Sequence, residues 1–156
     1  MMEIGDEPIS SIMNRSVEVI QEDSPIDDIL NGCFDRKTTD LIVVDSEKRY
    51  LGVITAFEIL SYINPFMGIH TGRKTMDHPL VMGHHPIAGE VMTPSTVTIL
   101  ENTKVKNALK HMRKDHHRYL VVLDKGRRVI GKLDLSDILG FLVDKGIIRP
   151  SGTEKR

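Results

Sequence analysis

An internal repeat with an offset of 79 residues restricts the fold of this chain more than any other feature. Residues 12–60 align with residues 91–139 without a gap. Identical residues recur at core positions and at turns, for example Gly52 and Gly131. A match that keeps its register through both kinds of position indicates one supersecondary unit used twice. Two such units create clefts where they meet, and clefts are frequent ligand sites.

The composition is that of an ordinary soluble globular protein. The 156 residues are 40% apolar and 28% charged, and 21 Lys and Arg stand against 22 Asp and Glu. This balance lacks the basic excess that attracts nucleic acid, and the absence of Trp leaves few aromatic platforms for bases. No apolar stretch reaches the roughly 18 residues that a membrane span requires. We therefore expect no nucleic-acid partner and no membrane partner.

The cysteine count and the N-terminal sequence predict a cytoplasmic protein. Cys33 is the single cysteine and cannot form an intrachain disulfide, which is typical of a reducing compartment. The first residues lack the basic start and the apolar run of a signal peptide.

Each repeat predicts the element order β-α-β-β-α. In repeat one, residues 17–20 alternate like a strand, and Ser24-Pro25 is a helix start with a hydroxyl N-cap and proline at the first helical position. Residues 41–44 form a continuous apolar run, as expected of a strand buried on both faces. Residues 50–54 return as a strand, and a helix follows over 56–62.

Repeat two predicts the same elements. Strands are expected at 97–100, 119–123 and 128–133, with an apolar helix stripe from Val105 to Met112 and a last helix over 134–143.

These patterns predict an α+β protein with three parts. The domain bounds are 9–63 for repeat one, 64–89 for an inter-repeat loop and 90–145 for repeat two. Neither repeat has enough strands to cover its own apolar faces. We therefore expect the two repeats to pack together with pseudo-twofold symmetry.

Three pairs of motifs link the chain to a known family. They are a segment before the first strand, an apolar strand that ends in Asp, and a strand and turn that lead into the last helix. Their residues are 12–13 and 91–94, 41–45 and 120–124, and 52–55 and 131–134. With these motifs in both repeats, the chain resembles a tandem pair of CBS domains, the Bateman module.

The resemblance implies a regulatory protein and not an enzyme. Such a module binds an adenosine-containing ligand, AMP, ADP, ATP or S-adenosylmethionine, in the cleft between its repeats and signals to a partner protein. The ligand is regulatory, so no cofactor is expected. The resemblance also implies a homodimer formed through helices. The sequence contains no nucleophile elbow, P-loop or dinucleotide fingerprint, which agrees with a role other than catalysis.

The family motif has a Thr or Ser at the start of the last helix and an Asp three residues later. Helix amides and a hydroxyl suit a phosphate, and a carboxylate can accept both hydroxyls of a ribose. Repeat one has Thr55 and Glu58 at these positions, and repeat two has Asp134 and Asp137. A carboxylate at 134 repels phosphate by about 1–4 kcal/mol in a partly solvated site.

We therefore expect a phosphorylated nucleotide at the Thr55 cleft. The Asp134 cleft is expected to be empty or to hold a ligand without phosphate there, and a divalent cation that bridges Asp134 to a phosphate is a third option. By resemblance, further candidate ligand-binding residues are Val17, Thr96, Ile42, Val121 and Arg118.

Simpler interpretations exist for the same residues. Thr55 and Asp134 are good N-caps, and Glu58 and Asp137 stand at the third helical position of a capping box. Lys132 replaces Val53 within a strand; it either projects into the cleft or keeps its amine in water.

Two other functions remain open. One is a protein interaction module without a small ligand, in which side chains fill the clefts. The other is a metal-responsive sensor that uses His78, His84 and His85 of the 64–89 loop, although no metal-binding motif accompanies these histidines. The prediction for a resident metal is none.

Overall fold

The computed structural model describes residues 3–36, 40–67, 86–94 and 97–151, and its elements follow the predicted order. The repeat-one elements are β1 (Val19–Gln21), α1 (Ile26–Arg36), β2 (Leu41–Val44), β3 (Tyr50–Ile54) and α2 (Ala56–Met67). A one-turn helix, α3 (Ala88–Val91), precedes repeat two. The repeat-two elements are β4 (Thr98–Leu100), α4 (Val105–Asp115), β5 (Tyr119–Leu123), β6 (Val129–Asp134) and α5 (Leu135–Asp144). The fold is α+β, as predicted.

Each repeat forms a three-stranded sheet with the same topology. β1 pairs with β2 in parallel, and β2 pairs with β3 antiparallel. β4, β5 and β6 repeat this arrangement. All four residues of β2 are buried, which confirms the strand predicted from the continuous apolar run and explains why it carries no polar residue.

The Asp that ends the central strand of each repeat organises the following turn. Asp45 Oδ1 accepts hydrogen bonds from the backbone N–H groups of Glu47 at 2.8 Å and Arg49 at 2.9 Å. Asp124 accepts the equivalent two bonds at 2.8 and 2.9 Å. A short carboxylate that bonds backbone amides two and four residues later stabilises a tight hairpin, so these Asp residues have a structural role.

A short stretch precedes the first strand of each repeat, and we call these stretches the lead-in segments: residues 8–14 before β1 and residues 87–93 before β4. Asn14 exchanges two backbone hydrogen bonds of 2.9 Å with Lys132 in β6. Thr93 makes the equivalent exchange with Val53 in β3, at 3.0 and 3.1 Å. Each lead-in segment therefore extends the sheet of the other repeat.

The chain divides into two compact units that reflect this exchange. The repeat-two unit comprises Met1–Val17 and Thr96–Arg156, and the repeat-one unit comprises Glu18–Ser95. Each unit has its own core, formed by one face of its sheet, its helices and a lead-in segment. The predicted bounds 9–63, 64–89 and 90–145 concern the sequence repeats and stay predictions; residues 68–85 of the loop lie outside the described residues.

The start of α1 differs from the prediction by one residue. The helix begins at Ile26, and the carbonyl of Pro25 accepts the Ile29 N–H at 3.2 Å. The backbone carbonyl of Ser24, the predicted N-cap, accepts the Ala88 N–H at 2.8 Å. A hydrogen bond to a residue 64 positions away is invisible to a local capping pattern.

Candidate functional site

The start of α2 is held by a compact hydrogen-bond cluster of Thr55 and Glu58. The Thr55 backbone N–H donates to Glu58 Oε2 at 2.7 Å, and the Thr55 hydroxyl donates to the same oxygen. The Phe57 N–H donates to Thr55 Oγ1 at 3.2 Å. Because the hydroxyl and the carboxylate satisfy the helix start together, the predicted capping function of both residues is present.

Thr93 adds a second hydroxyl to this cluster. Its Oγ1 donates to Glu58 Oε1 at 3.0 Å. The backbone pairing of Thr93 with Val53 brings it to the end of β3, next to the start of α2. Sequence reasoning included Thr93 in the lead-in motif but did not assign it to the site. The contact spans 35 positions, so no local pattern reveals it.

The environment of Glu58 favours its ionised form. Burial is the largest single influence and raises the pKa of Glu58, but the hydrogen bonds from the Thr55 hydroxyl and amide and from Thr93 outweigh it. The net pKa lies below the ordinary value. The start of α2 therefore carries a half-buried carboxylate that is negative at neutral pH.

The start of α5 is built in the same way but with two carboxylates. The Asp134 backbone N–H donates to Asp137 Oδ2 at 2.8 Å, and the Asp134 side chain accepts the backbone N–H of residue 137, which completes a capping box. The structure therefore places a carboxylate at both helix starts. The predicted division of ligands between Thr55 and Asp134 is not tested by this geometry and stays a prediction.

Lys132 lies beside the α5 capping box. Its Nζ is 3.9 Å from Asp134 Oδ1 and 4.3 Å from the centre of the Tyr119 ring. Tyr119 and Asp134 are paired in the β5–β6 register, as are Val121 and Lys132. Lys132 and Tyr119 are therefore diagonal neighbours on one face, within reach of long side chains.

The candidates Ile42 and Val121 are buried and occupy matched positions in the two sheets. Their strand neighbours Leu41, Val43, Leu120 and Val122 belong to the core clusters. Because side chains alternate along a strand, Ile42 and Val121 point away from these clusters. Neither is polar, so each offers a ligand only apolar contact.

The remaining candidates are less well placed. Arg118 is exposed, and its carbonyl accepts the Leu135 N–H at 3.2 Å, which places it at the start of α5. Val17 is half-buried and lies two residues before β1. Thr96 lies outside the described residues. The structure thus groups Arg118 and Val121 with Asp134 and Asp137 around the β5–β6 end.

The histidine hypothesis is not tested. His78, His84 and His85 lie outside the described residues. His111 and Asp115, on α4, are exposed, and their Nδ1 and Oδ2 atoms are 3.4 Å apart. Residues 3–36, 40–67, 86–94 and 97–151 contain no group of three or more His, Cys, Asp or Glu that could hold a metal ion.

In the described part of the chain, no helix has both the length and the apolar character needed to cross a membrane.

The fold and the paired helix starts define a tandem pair of CBS domains. The sequence matches the family described as CBS domain over residues 9–65 and 88–144, which together make up most of the chain. The chain therefore belongs to the CBS domain family.

The known proteins that resemble this chain share the paired domains. CBSX2, a chloroplastic CBS domain-containing protein of Arabidopsis thaliana, is 22% identical over 138 residues, which cover 80% of this chain and 58% of CBSX2. The crystal structure of CBSX2 in complex with AMP superposes with a TM-score of 0.70 at 20% identity, over 89% of this chain and 98% of that one. The CBS domain pair of protein MJ0100, in complex with 5′-methylthioadenosine and S-adenosylmethionine, superposes with a TM-score of 0.63 at 19% identity. This match covers 89% of this chain and 98% of the MJ0100 chain.

Two of the similar proteins are homoserine O-acetyltransferases and so have a catalytic name. The homoserine O-acetyltransferase of Methanohalobium evestigatum is 26% identical over 130 residues, which cover 83% of this chain. This chain spans 23% of the length of that protein and 58% of the length of CBSX2. CBS domain pairs are regulatory modules, and the match to the acetyltransferase concerns a minor part of its length.

Proposed function

We propose that this chain is a regulatory module that binds an adenosine-containing ligand and signals its presence to a partner protein. The observation that carries the proposal is the carboxylate of Glu58. It is ionised, it lies at a helix start, and it already accepts two hydroxyl groups, from Thr55 and Thr93. A ribose offers two neighbouring hydroxyls to the same kind of acceptor, and each carboxylate oxygen has two lone pairs.

The second unit supports the same ligand class. Asp137 occupies the position of Glu58 at the start of α5, and its side chain is half-buried. Helices α2 and α5 thus each have a carboxylate at the third helical position. Such a carboxylate suits a ligand that presents two neighbouring hydroxyls.

The ligands of the CBSX2 and MJ0100 structures share one chemical group. CBSX2 is seen with AMP, and MJ0100 with 5′-methylthioadenosine and S-adenosylmethionine. All three contain adenosine, whereas only AMP contains phosphate. This favours adenosine as the recognised part, and AMP, ADP, ATP and S-adenosylmethionine are the candidates for this chain.

Thermal unfolding of the protein with adenosine, 2′-deoxyadenosine, AMP, ADP, ATP and S-adenosylmethionine tests the proposal. A ligand at about a hundred times its Kd stabilises the folded state by about 2.7 kcal/mol. We expect stabilisation by at least one ribose compound and less by the deoxy compound. Glu58→Gln or Asp137→Asn should reduce the stabilisation by the ribose compound. Asp144→Asn, at the exposed end of α5, should not. Absence of any ligand effect would overturn the proposal.

The same proposal includes a homodimer. On α5, Leu135, Leu139 and Val143 recur every four residues, and all three are exposed, with 41%, 55% and 36% of their surface accessible. A second copy of the chain would remove this apolar stripe from water. Light scattering at several protein concentrations tests it: a mass near 17.6 kDa at all concentrations would contradict the dimer. A cytoplasmic location and a regulatory, non-catalytic role complete the proposal.

A second candidate function is an interaction module that binds no small ligand. It is favoured by the capping clusters at Thr55 and Asp134, which satisfy their own polar groups without a ligand. The unfolding series distinguishes the two functions, since the interaction module predicts no shift with any nucleotide.

A further inference from the structure

Lys132 places a positive charge in the repeat-two sheet at a position where the repeat-one sheet has an apolar residue. Its partner in the repeat is Val53, and both pair with the matched residues Val121 and Ile42 on the neighbouring strand. Leu133, the next residue, belongs to the core cluster of the repeat-two unit. Because side chains alternate along β6, Lys132 points to the other face of the sheet, together with Val121. That face carries two residues of the proposed ligand site, Val121 and Asp134.

The ammonium group of Lys132 is held in position without a direct hydrogen bond to a carboxylate. Tyr119 lies beneath it at 4.3 Å, which is a cation–π distance. The nearest carboxylate oxygen, Asp134 Oδ1, is 3.9 Å away, too far for a direct hydrogen bond. Within the residues that the structure describes, the ammonium donates no hydrogen bond. The side chain is 25% exposed, so a ligand can reach its three N–H donors.

Because of the capping box, an anion at this helix start has to bind a cationic side chain instead of the helix amides, and Lys132 is such a side chain. The side chains of Asp134 and Asp137 already bond the backbone N–H groups of residues 137 and 134. An anion therefore does not find these two amides free, as it would at an uncapped helix start. Lys132 also offsets one of the two carboxylate charges, which reduces the repulsion that a phosphate would experience.

We propose that Lys132 is the anion-binding group of the repeat-two site and that it takes the phosphate of an adenine nucleotide. This inference rests on the proposed function and reverses, for this site, the sequence-based expectation of a ligand without phosphate. The sequence shows Asp134 in place of a hydroxyl, but only the β5–β6 register shows that a lysine held by Tyr119 stands next to it. In the repeat-one unit, buried Val53 supplies no donor at the matched position.

Calorimetric titration of the full chain with AMP and with adenosine tests the proposal. Lys132→Met removes the charge and keeps an apolar stem over Tyr119, whereas Lys132→Arg keeps the charge. We expect Lys132→Met to weaken AMP binding at one site by about tenfold or more, as for loss of a charge-assisted hydrogen bond, and to leave adenosine binding unchanged. Lys132→Arg should retain most of the AMP affinity. Lys125→Met, in the exposed hairpin turn, is the matched control and should behave as wild type.

The outcomes separate this inference from the proposed function. Unchanged AMP affinity in Lys132→Met would overturn the role of Lys132 and leave the proposed function intact, and so would an equal loss for AMP and adenosine. A wild-type protein that binds no adenosine compound would overturn both. If Lys132→Met does not fold, the salt dependence of the wild type decides: AMP affinity must fall more steeply with ionic strength than adenosine affinity, and equal slopes would refute the inference.

Discussion

Met13 covers Gly131 so closely that a Cβ atom at residue 131 would lie 2.7 Å from the Met13 sulfur. The repeat-one unit shows the same relationship, since a Cβ at Gly52 would lie 3.1 Å from the Met92 sulfur. Each methionine belongs to a lead-in segment and each glycine to the strand that this segment joins. The pairs Met13/Met92 and Gly52/Gly131, each matched by the 79-residue offset, therefore form one kind of contact that occurs once in each unit.

Gly52→Ala should destabilise the protein more than Gly131→Ala. At Gly52 the closest atom to an added Cβ is the backbone oxygen of Thr93, at 2.7 Å, whereas at Gly131 it is the flexible end of Met13. A backbone carbonyl in a bridge cannot move without breaking its pairing. We expect a loss of about 2–3 kcal/mol for Gly52→Ala and about 1–2 kcal/mol for Gly131→Ala, measured by denaturant unfolding.

Gly140→Ala provides the matched control for this pair. Gly140 lies within α5 and an added Cβ meets nothing within 4 Å. Alanine should stabilise the helix by about 0.5–1 kcal/mol. Equal effects of all three substitutions would contradict the packing explanation.

Ile9→Ala should destabilise the repeat-two unit although residue 9 belongs to repeat one in the sequence. Ile9 is fully buried in the core cluster that contains Leu120, Leu133 and Ile138. Removing a buried isoleucine side chain to Cβ costs about 2–5 kcal/mol. Hydrogen exchange should show faster exchange in β4, β5 and β6 than in β1, β2 and β3. Leu100→Ala, at a half-exposed site of the same unit, is the control and should have a small effect.

Glu58→Gln should destabilise the protein at pH 7 but not at low pH. Folding lowers the pKa of Glu58 below its ordinary value of 4.5, so the ionised form stabilises the folded state above that value. The stabilisation is lost as the pH falls through the folded pKa. We expect the free energy of unfolding of Glu58→Gln, measured by denaturant unfolding, to be about 1–2 kcal/mol below that of the wild type at pH 7. This difference should shrink below pH 4.5. A stability difference that stays constant with pH would argue against stabilisation by the ionised Glu58 carboxylate. The same difference in Glu47→Gln, a variant at an exposed site, would also argue against it.

Thr93 and Glu58 should show energetic coupling. Their side chains are joined by a 3.0 Å hydrogen bond, so the effects of Thr93→Val and Glu58→Gln should not add. A double-mutant cycle on the free energy of unfolding should give a coupling of about 0.5–1.5 kcal/mol. The control is a second cycle that combines Thr93→Val with Asp137→Asn. Residue 137 lies in the other unit, so the effects of these two substitutions should add. Additivity in both cycles would mean that the hydrogen bond contributes nothing.

The sequence by itself determined the repeat, the β-α-β-β-α order and the family. Burial and local geometry leave local signals: the run 41–44 is apolar because β2 is buried, and Asp45 ends it because a short carboxylate closes the turn. The sequence also identified four helix-start residues, since a capping pattern spans only three positions. They are Thr55, Glu58, Asp134 and Asp137.

Tertiary structure alone decided which groups meet at these helix starts. The bond from Thr93 to Glu58 depends on a lead-in segment that joins the sheet of the other repeat. The position of Lys132 over Tyr119 depends on the register of β5 and β6. A sequence pattern indicates periodicity and burial. It does not indicate which distant residue a side chain contacts, because the packing of the whole unit decides that contact. The charge and the hydrogen-bonding capacity of the candidate site therefore came from the fold.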